Sequence, residues 1–231
     1  AGPSMNTSNL LWTAGKSRDG MTQHQALNYA TKHDLFSLVY YDPSVTPVAP
    51  DDSGHFSQLE FDWITTRTGY GLDDLVVSMR SGPPSNHEHA DRNSVILKYR
   101  GEILLADSHR PTYDVKSPAW LLRTAEAHNT ILIDGQGHPY IDGSQGTNAS
   151  EASAEIVRKG ERPGYVHWTS DATQAHALAD PDVSSVTRSV FVFREIPFVL
   201  ILDKVLKSET PSRIAARWFV ENRDLEGTVE T

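Results

Sequence analysis

Val190-Phe191-Val192-Phe193-Arg194-Glu195-Ile196-Pro197-Phe198-Val199-Leu200-Ile201-Leu202 is the stretch that decides the fold. Two apolar runs rich in β-branched and aromatic residues flank an Arg-Glu-Ile-Pro break, the pattern of two strands joined by a turn. Neither run alternates with polar residues. Strands covered on both faces read this way, so a second sheet or a covering layer is expected. Working outward, similar short runs predict strands near 75–79, 94–99, 103–106, 130–134, 164–169, 186–193, 198–205 and 213–220. Arg100-Gly101-Glu102 turns a second hairpin, and the Gly-, Ser-, Asn- and Asp-rich residues 135–153 read as an exposed loop. Regular strands separated by turns make the expected class mainly β, a large antiparallel β-sandwich over residues 55–231.

The first 54 residues differ in character. Ala1-Gly2-Pro3-Ser4-Met5 reads as an appended leader. Thr22-Gln23-His24-Gln25 has the form of a capping box, and Ala26, Leu27, Ala30 and Leu35 follow at roughly helical spacing, predicting a helix over residues 22–33. Prolines, aspartates and glycine between Asp42 and Gly54 predict a linker. Residues 1–54 are therefore expected to hold a leader, a short helical segment and a linker.

Composition narrows the partners. The 231-residue chain carries a net charge of −9, against the basic face expected of a nucleic-acid binder and against an anionic membrane surface. No run approaches the roughly 18 apolar residues of a spanning helix. There is no cysteine, so any zinc would be held by nitrogen and oxygen.

Asn86-His87-Glu88-His89-Ala90-Asp91 supplies such donors, joined later by Asp107 and by His128-Asn129. On an extended segment His87, His89 and Asp91 share a face, and Asp107 and His128 each border a predicted strand. Asp91 reads more readily as the partner of Arg92 than as a ligand. Around Gly101, Asp107 falls opposite Val95, so residues 86–93 must curl back for His89 to approach it. A cupin-type metal enzyme also uses His-x-His on a β-fold. It usually carries a glutamate four or five residues later, where this chain has Asn93 and Ser94.

Three ordered blocks resemble the heparinase II/III-like polysaccharide lyases: Gly82 to Ser94, Gly101 to Asp107 with Tyr113 six residues on, and Ala127-His128-Asn129-Thr130 running to Gly137. The resemblance implies a β-sandwich preceded by the remnant of an α/α toroid, whose main body this chain lacks. It implies an acidic, uronic-acid-containing polysaccharide as partner, cleaved by β-elimination, and a periplasmic or secreted bacterial enzyme. It carries structural zinc to His89, Asp107 and His128, and catalytic roles to His87 and Tyr113. Asp107-Ser108-His109-Arg110 departs from the glycine that follows the aspartate in many relatives.

Between residues 87 and 128, six Lys/Arg balance six Asp/Glu, so this region repels a polyanion less than the chain as a whole. Arg92, Arg110 and Arg123 are the candidates to grip substrate carboxylate or sulfate. A non-catalytic glycan-binding or scaffolding sandwich module is the alternative reading.

Overall fold

The computed structural model describes residues 6–30, 33–51, 55–85, 87–107, 111 and 113–221. The chain divides into two compact units, Ala1–Asp52 and Ser53–Thr231.

The first unit holds helices α1 (Thr7–Ser17), α2 (Gly20–Asn28) and α3 (Leu35–Tyr40). The predicted helix begins two residues earlier than expected and is capped differently. Asp19, not Thr22, is its N-cap; its carboxylate accepts from the Met21 N–H at 2.9 Å and from the Thr22 hydroxyl at 2.6 Å. A carboxylate offers two acceptor oxygens where a threonine offers one, so it satisfies both groups. Helix α1 escaped the sequence reading because Gly15 and several polar residues dilute its periodicity; Asn6 caps it. Residues 42–51 have no regular structure, as a linker should, yet Val45 is buried. The Gln23 side chain donates to the Asp42 and Val45 carbonyls and holds the segment against α2.

The second unit is mainly β, and all its strand pairs are antiparallel. One sheet is a meander of β1 (His55–Gln58), β2 (Trp63–Arg67), β3 (Val76–Arg80), β4 (Val95–Tyr99) and β5 (Glu102–Leu105). A second contains β7 (Glu155–Arg162), β8 (Tyr165–Asp171), β9 (Val183–Phe193) and β10 (Phe198–Lys207). A small third sheet pairs β6 (Ile131–Ile133) with β11 (Ile214–Ala216). A short helix α4 (Thr173–Ala177) leads from β8 towards β9.

Alternation now becomes visible where the sequence hid it. Ile64, Val77, Met79 and Val95 of the first sheet meet Val166, Trp168, Val190 and Val192 of the second in one core. The intervening residues of β8 and β9 put Tyr165, His167, Phe191 and Phe193 on the opposite face, ring against ring. That aromatic outer face is why the Val190–Phe193 run showed no polar alternation. A second core gathers Ile131, Ile133, Ala172, Val183 and Val186 with Ala175 of α4.

Two expectations need correction. The strand expected over 213–220 is regular only at Ile214–Ala216, although Leu105 still bridges Val220. The supposed exposed loop 135–153 is partly core: His138, Ser150 and Ala152 are buried within it. Gly137 explains its compactness, since any side chain there would collide with Ala125.

The β4–β5 hairpin sets up the site. Arg100 (φ 52°) and Gly101 (φ 79°) form a two-residue turn with both residues in the left-handed region, the geometry that suits strand twist. The register then slips: Tyr99 pairs Glu102 and Lys98 pairs Ile103, but Leu97 pairs Leu105. Leu104 is the extra residue of a bulge.

Candidate functional site

At the open end of that hairpin the chain must reverse to bring residues 87–93 back over the strands. Asn93 (φ 64°) and His87 (φ 61°) take left-handed conformations that allow it. The reversal is fastened by Glu88, which lies between two buried guanidinium groups. Arg80 donates to it through Nε (3.1 Å) and Nη2, and Arg92 through Nη2 (2.7 Å). The Ser85 N–H adds a fourth bond at 2.8 Å. Burial pushes the Glu88 carboxyl pKa up; Arg92 and Arg80 more than reverse this and leave it below its ordinary value.

The curl delivers its residues. His128 is fully buried, and its Nδ1 lies 2.8 Å from Asp107 Oδ1. The other Asp107 oxygen accepts from the Ser94 hydroxyl at 2.5 Å. The His89 ring centroid stands 5.2 Å from that of His128. His89, Asp91 and Asp107 line one cavity of about 160 Å³, with Trp63, Arg80 and Ser94. Three residues far apart in sequence thus meet at one strand-end position.

Asn129 explains how His128 gets there. Its side-chain amide donates to the Val95 and Ala106 carbonyls (2.9 and 2.8 Å), and its oxygen accepts from the Phe219 N–H at 2.6 Å. Arg188 braces the same place from the second sheet. Its Nη1 donates to the Asn93 and Asn129 carbonyls at 2.7 and 2.6 Å, while Nε and Nη2 hold Asp203 through both oxygens.

Charge is tuned by this enclosure. Burial lowers the His128 imidazole pKa, but the hydrogen bond and charge of Asp107, helped by Asp91, raise it further than burial lowers it. Burial pushes the Asp91 carboxyl up to about 6; His128 and Arg92 oppose the rise, while Asp107 and Glu88 add to it. Asp91 pairs with Arg92 at 3.2 Å, as expected from the sequence.

The donor types suit zinc: two imidazoles and a carboxylate, without sulfur. Their present arrangement is that of a hydrogen-bonded pair with a neighbouring ring. Among the described residues, no group of three or more His, Asp or Glu side chains stands ready-made to hold an ion.

Beside this cluster, the exposed His87 faces Tyr113: Nδ1 lies 3.3 Å from the phenol oxygen, with the rings edge to face at 5.7 Å. The substrate-gripping arginines are placed otherwise than expected. Arg92 is 1% exposed and committed to Glu88, Asp91 and the Pro83 carbonyl. Arg123 is 2% exposed, its guanidinium over the rings of Trp120 (4.5 Å) and Tyr113 (5.0 Å). Both are built into the walls, where they hold other side chains; buried arginines carry no sequence signal that separates them from surface ones. Arg110 lies outside the described residues. Glu88, Ser94, Asn129 and Arg188 are the supporting residues that sequence reasoning did not single out. Only Glu88 had a local hint, at i and i+4 with Arg92.

A two-sheet sandwich with a polar cluster at its strand ends defines a scaffold class that many activities share, so comparison with known proteins decides the family. The model of the heparinase II/III-like C-terminal domain matches residues 49–229, and the chain belongs to that family. The heparan sulfate lyase HepC from Pedobacter heparinus is similar in fold, with a TM-score of 0.64 and 15% identity over 94% of this chain and 30% of its own. The heparinase III BT4657 gene product with methylated lysines aligns with a TM-score of 0.63 and 14% identity, over 89% of this chain and 28% of its own. The chain thus spans less than a third of either structure. No curated protein matches it in sequence. Family and structural neighbours are polysaccharide lyases.

Proposed function

We propose that this chain forms the cleft-lining, zinc-bearing sandwich part of a polysaccharide lyase that cleaves uronic-acid-containing chains by β-elimination. The observation that carries the reading is the convergence of His89, Asp107 and His128 at one strand end, with the His87–Tyr113 pair beside it.

The C5 proton of a uronate is weakly acidic because the neighbouring carboxylate is already negative. Neutralising that carboxylate stabilises the enolate-like intermediate, an effect often worth several kcal/mol. A base then takes the C5 proton, the C4–oxygen bond breaks, a C4–C5 double bond forms, and the departing oxygen receives a proton. His87, exposed beside Tyr113, serves the carboxylate or the proton transfer. Tyr113, within reach of His87, serves the leaving oxygen. The reaction needs further groups from outside this chain, in the helical toroid implied by the sequence blocks.

Zinc held by His89, Asp107 and His128 would tie the 87–93 reversal to the two strands behind it and supply no step of the reaction. The ion would take the place of the proton that Asp107 and His128 share, so binding releases a proton and weakens in acid. Purification without chelators is expected to yield about one zinc per chain. The His89→Ala variant should lose most of it and melt at lower temperature. A zinc-free wild type, or unchanged content in the variant, would remove the metal from this account.

In the full-length protein, Tyr113→Phe is expected to lower kcat by roughly 10²–10⁴ on whichever acidic polysaccharide is cleaved, followed by the ultraviolet absorbance of the unsaturated product. Full activity in that variant would exclude the phenol from the reaction. If the full-length protein produces no unsaturated sugar from heparan sulfate, chondroitin sulfate or alginate, the non-catalytic module is the better description.

A further inference from the structure

Tyr113 is 61% exposed, an unfavourable setting for a side chain that must hold one orientation. Three neighbours restrain it. The Arg123 guanidinium lies over its ring face at 5.0 Å, and His87 meets it edge to face. Gly146 (φ 74°) lies so close that an added Cβ would come within 2.5 Å of Tyr113 Cδ1. Arg123 is in turn stacked on Trp120 and donates to the Gly146 carbonyl at 3.2 Å. Trp120 is tied through its indole N–H to Asp142 at 2.8 Å. The Arg123 carbonyl accepts the Ala90 N–H at 2.8 Å, joining this segment to the loop that carries His87 and His89.

We propose that Arg123 is a positioning residue: it holds the Tyr113 ring, from its face, at the distance and angle from which the phenol reaches His87. The inference rests on the lyase reading given above for Tyr113. A guanidinium sandwiched between two aromatic rings is attracted to both and is rigid in its plane, properties a lysine ammonium reproduces only in part. Gly146 completes the slot by admitting the ring where any other residue would displace it. Displacement of a reacting group by about 1 Å costs as much as about 100-fold in rate, so a group that never touches substrate can carry a large effect.

The test uses two readouts. In the 231-residue chain, nuclear Overhauser contacts between the Tyr113 and His87 rings report their proximity. Arg123→Met should lose them and Arg123→Lys should keep a weakened set. Gly146→Ala should lose them too, whereas Gly101→Ala should keep them. Gly101 has the same kind of backbone (φ 79°) with nothing near a new Cβ, and so controls for conformational strain. In the full-length protein, the probe is whichever of heparan sulfate, chondroitin sulfate and alginate the wild type depolymerises. Arg123→Met should lower kcat by about 10- to 100-fold with KM little changed, and Arg123→Lys should restore part of the loss. Retention of the ring contacts or of kcat in Arg123→Met would overturn the proposal. If Tyr113→Phe is inactive while Arg123→Met is active, the positioning role fails and the lyase reading stands. If wild type is silent on all three polymers, or Tyr113→Phe is fully active, that reading fails and takes the positioning role with it.

Discussion

Replacing Arg188 with methionine is expected to lower the unfolding free energy by about 3–5 kcal/mol, the usual cost of breaking one side of a buried ion pair. For a chain of this length that corresponds to a fall of roughly 10 °C in melting temperature. Arg188 is fully buried on β9. Its loss would strand the Asp203 carboxylate and leave the Asn93 and Asn129 carbonyls without their donor; it would also remove the cation that lies over the Trp218 ring, 4.8 Å away. Methionine keeps the volume, so the deficit reports charge and hydrogen bonding more than a cavity. The same variant should loosen the site, because the two carbonyls belong to the segments that carry His89 and His128. Calorimetry of Arg188→Met checks the stability; a loss below 1 kcal/mol would mean that water replaces the guanidinium at no cost.

The second large effect is a response to acid that originates at His138 and His176. Both rings are buried, edge to face at 5.9 Å. Burial drives the His176 pKa down to about 4, with Arg188 adding to the fall. Burial likewise drives His138 well below its ordinary value, with His176, Arg92 and His128 contributing. In the unfolded chain each imidazole takes up its proton near pH 6.5, whereas the folded form resists. Stability attributable to these residues is thus complete at neutral pH and is lost as pH falls from about 6.5 towards 4. For His176 the loss between about pH 7.5 and 4.5 is on the order of 2–3 kcal/mol. Asp91 acts with the opposite sign. With its folded pKa raised to about 6, it binds a proton before the unfolded carboxyl does and offsets part of the fall. The informative quantity is therefore the difference between wild type and His176→Gln in urea unfolding at the two pH values. The variant should show a pH dependence shallower by that amount, and identical slopes would refute the assignment. The site would also register the change: His138 Nε2 accepts the Arg92 backbone N–H at 2.9 Å, a bond that protonation abolishes.

Much of the fold could be read because hydrophobic pattern and turn chemistry agreed. The β9–β10 and β4–β5 hairpins stand where their apolar runs and turn residues put them, and the mainly β class followed. Strands β1, β2 and β7 did not declare themselves. Five of the eight residues of Glu155–Arg162 are charged because the strand lies at a sheet edge with little burial, so its composition does not separate it from loop. The site was legible as a set of residue types in ordered blocks, and the required curl of residues 86–93 followed from the hairpin register alone. What holds the curl was not legible. Asn129 and Arg188 act through partners far away in the chain, which leaves no local pattern, and Glu88 offered only its spacing to Arg92. The arginines show the same limit from the other side: their charge suggested contact with a polyanion, while packing turned Arg92 and Arg123 inward.

The slip at Leu104 has a consequence for how this family of sequences can vary. Beyond a single-residue insertion in a pleated ribbon, odd and even positions exchange sides. Continued past Leu97 and Leu105, the shifted pairing sets Asp107 across from Val95, next to the hydroxyl of Ser94. Excising Leu104 would close the bulge and leave Asp107 across from Val95, whereas straightening the ribbon with Leu104 kept would bring Ala106 to that place and turn the carboxylate away, silencing the cluster with every one of its members intact. Bulge and chain length between the turn and the aspartate must therefore change together if the site is to keep its carboxylate.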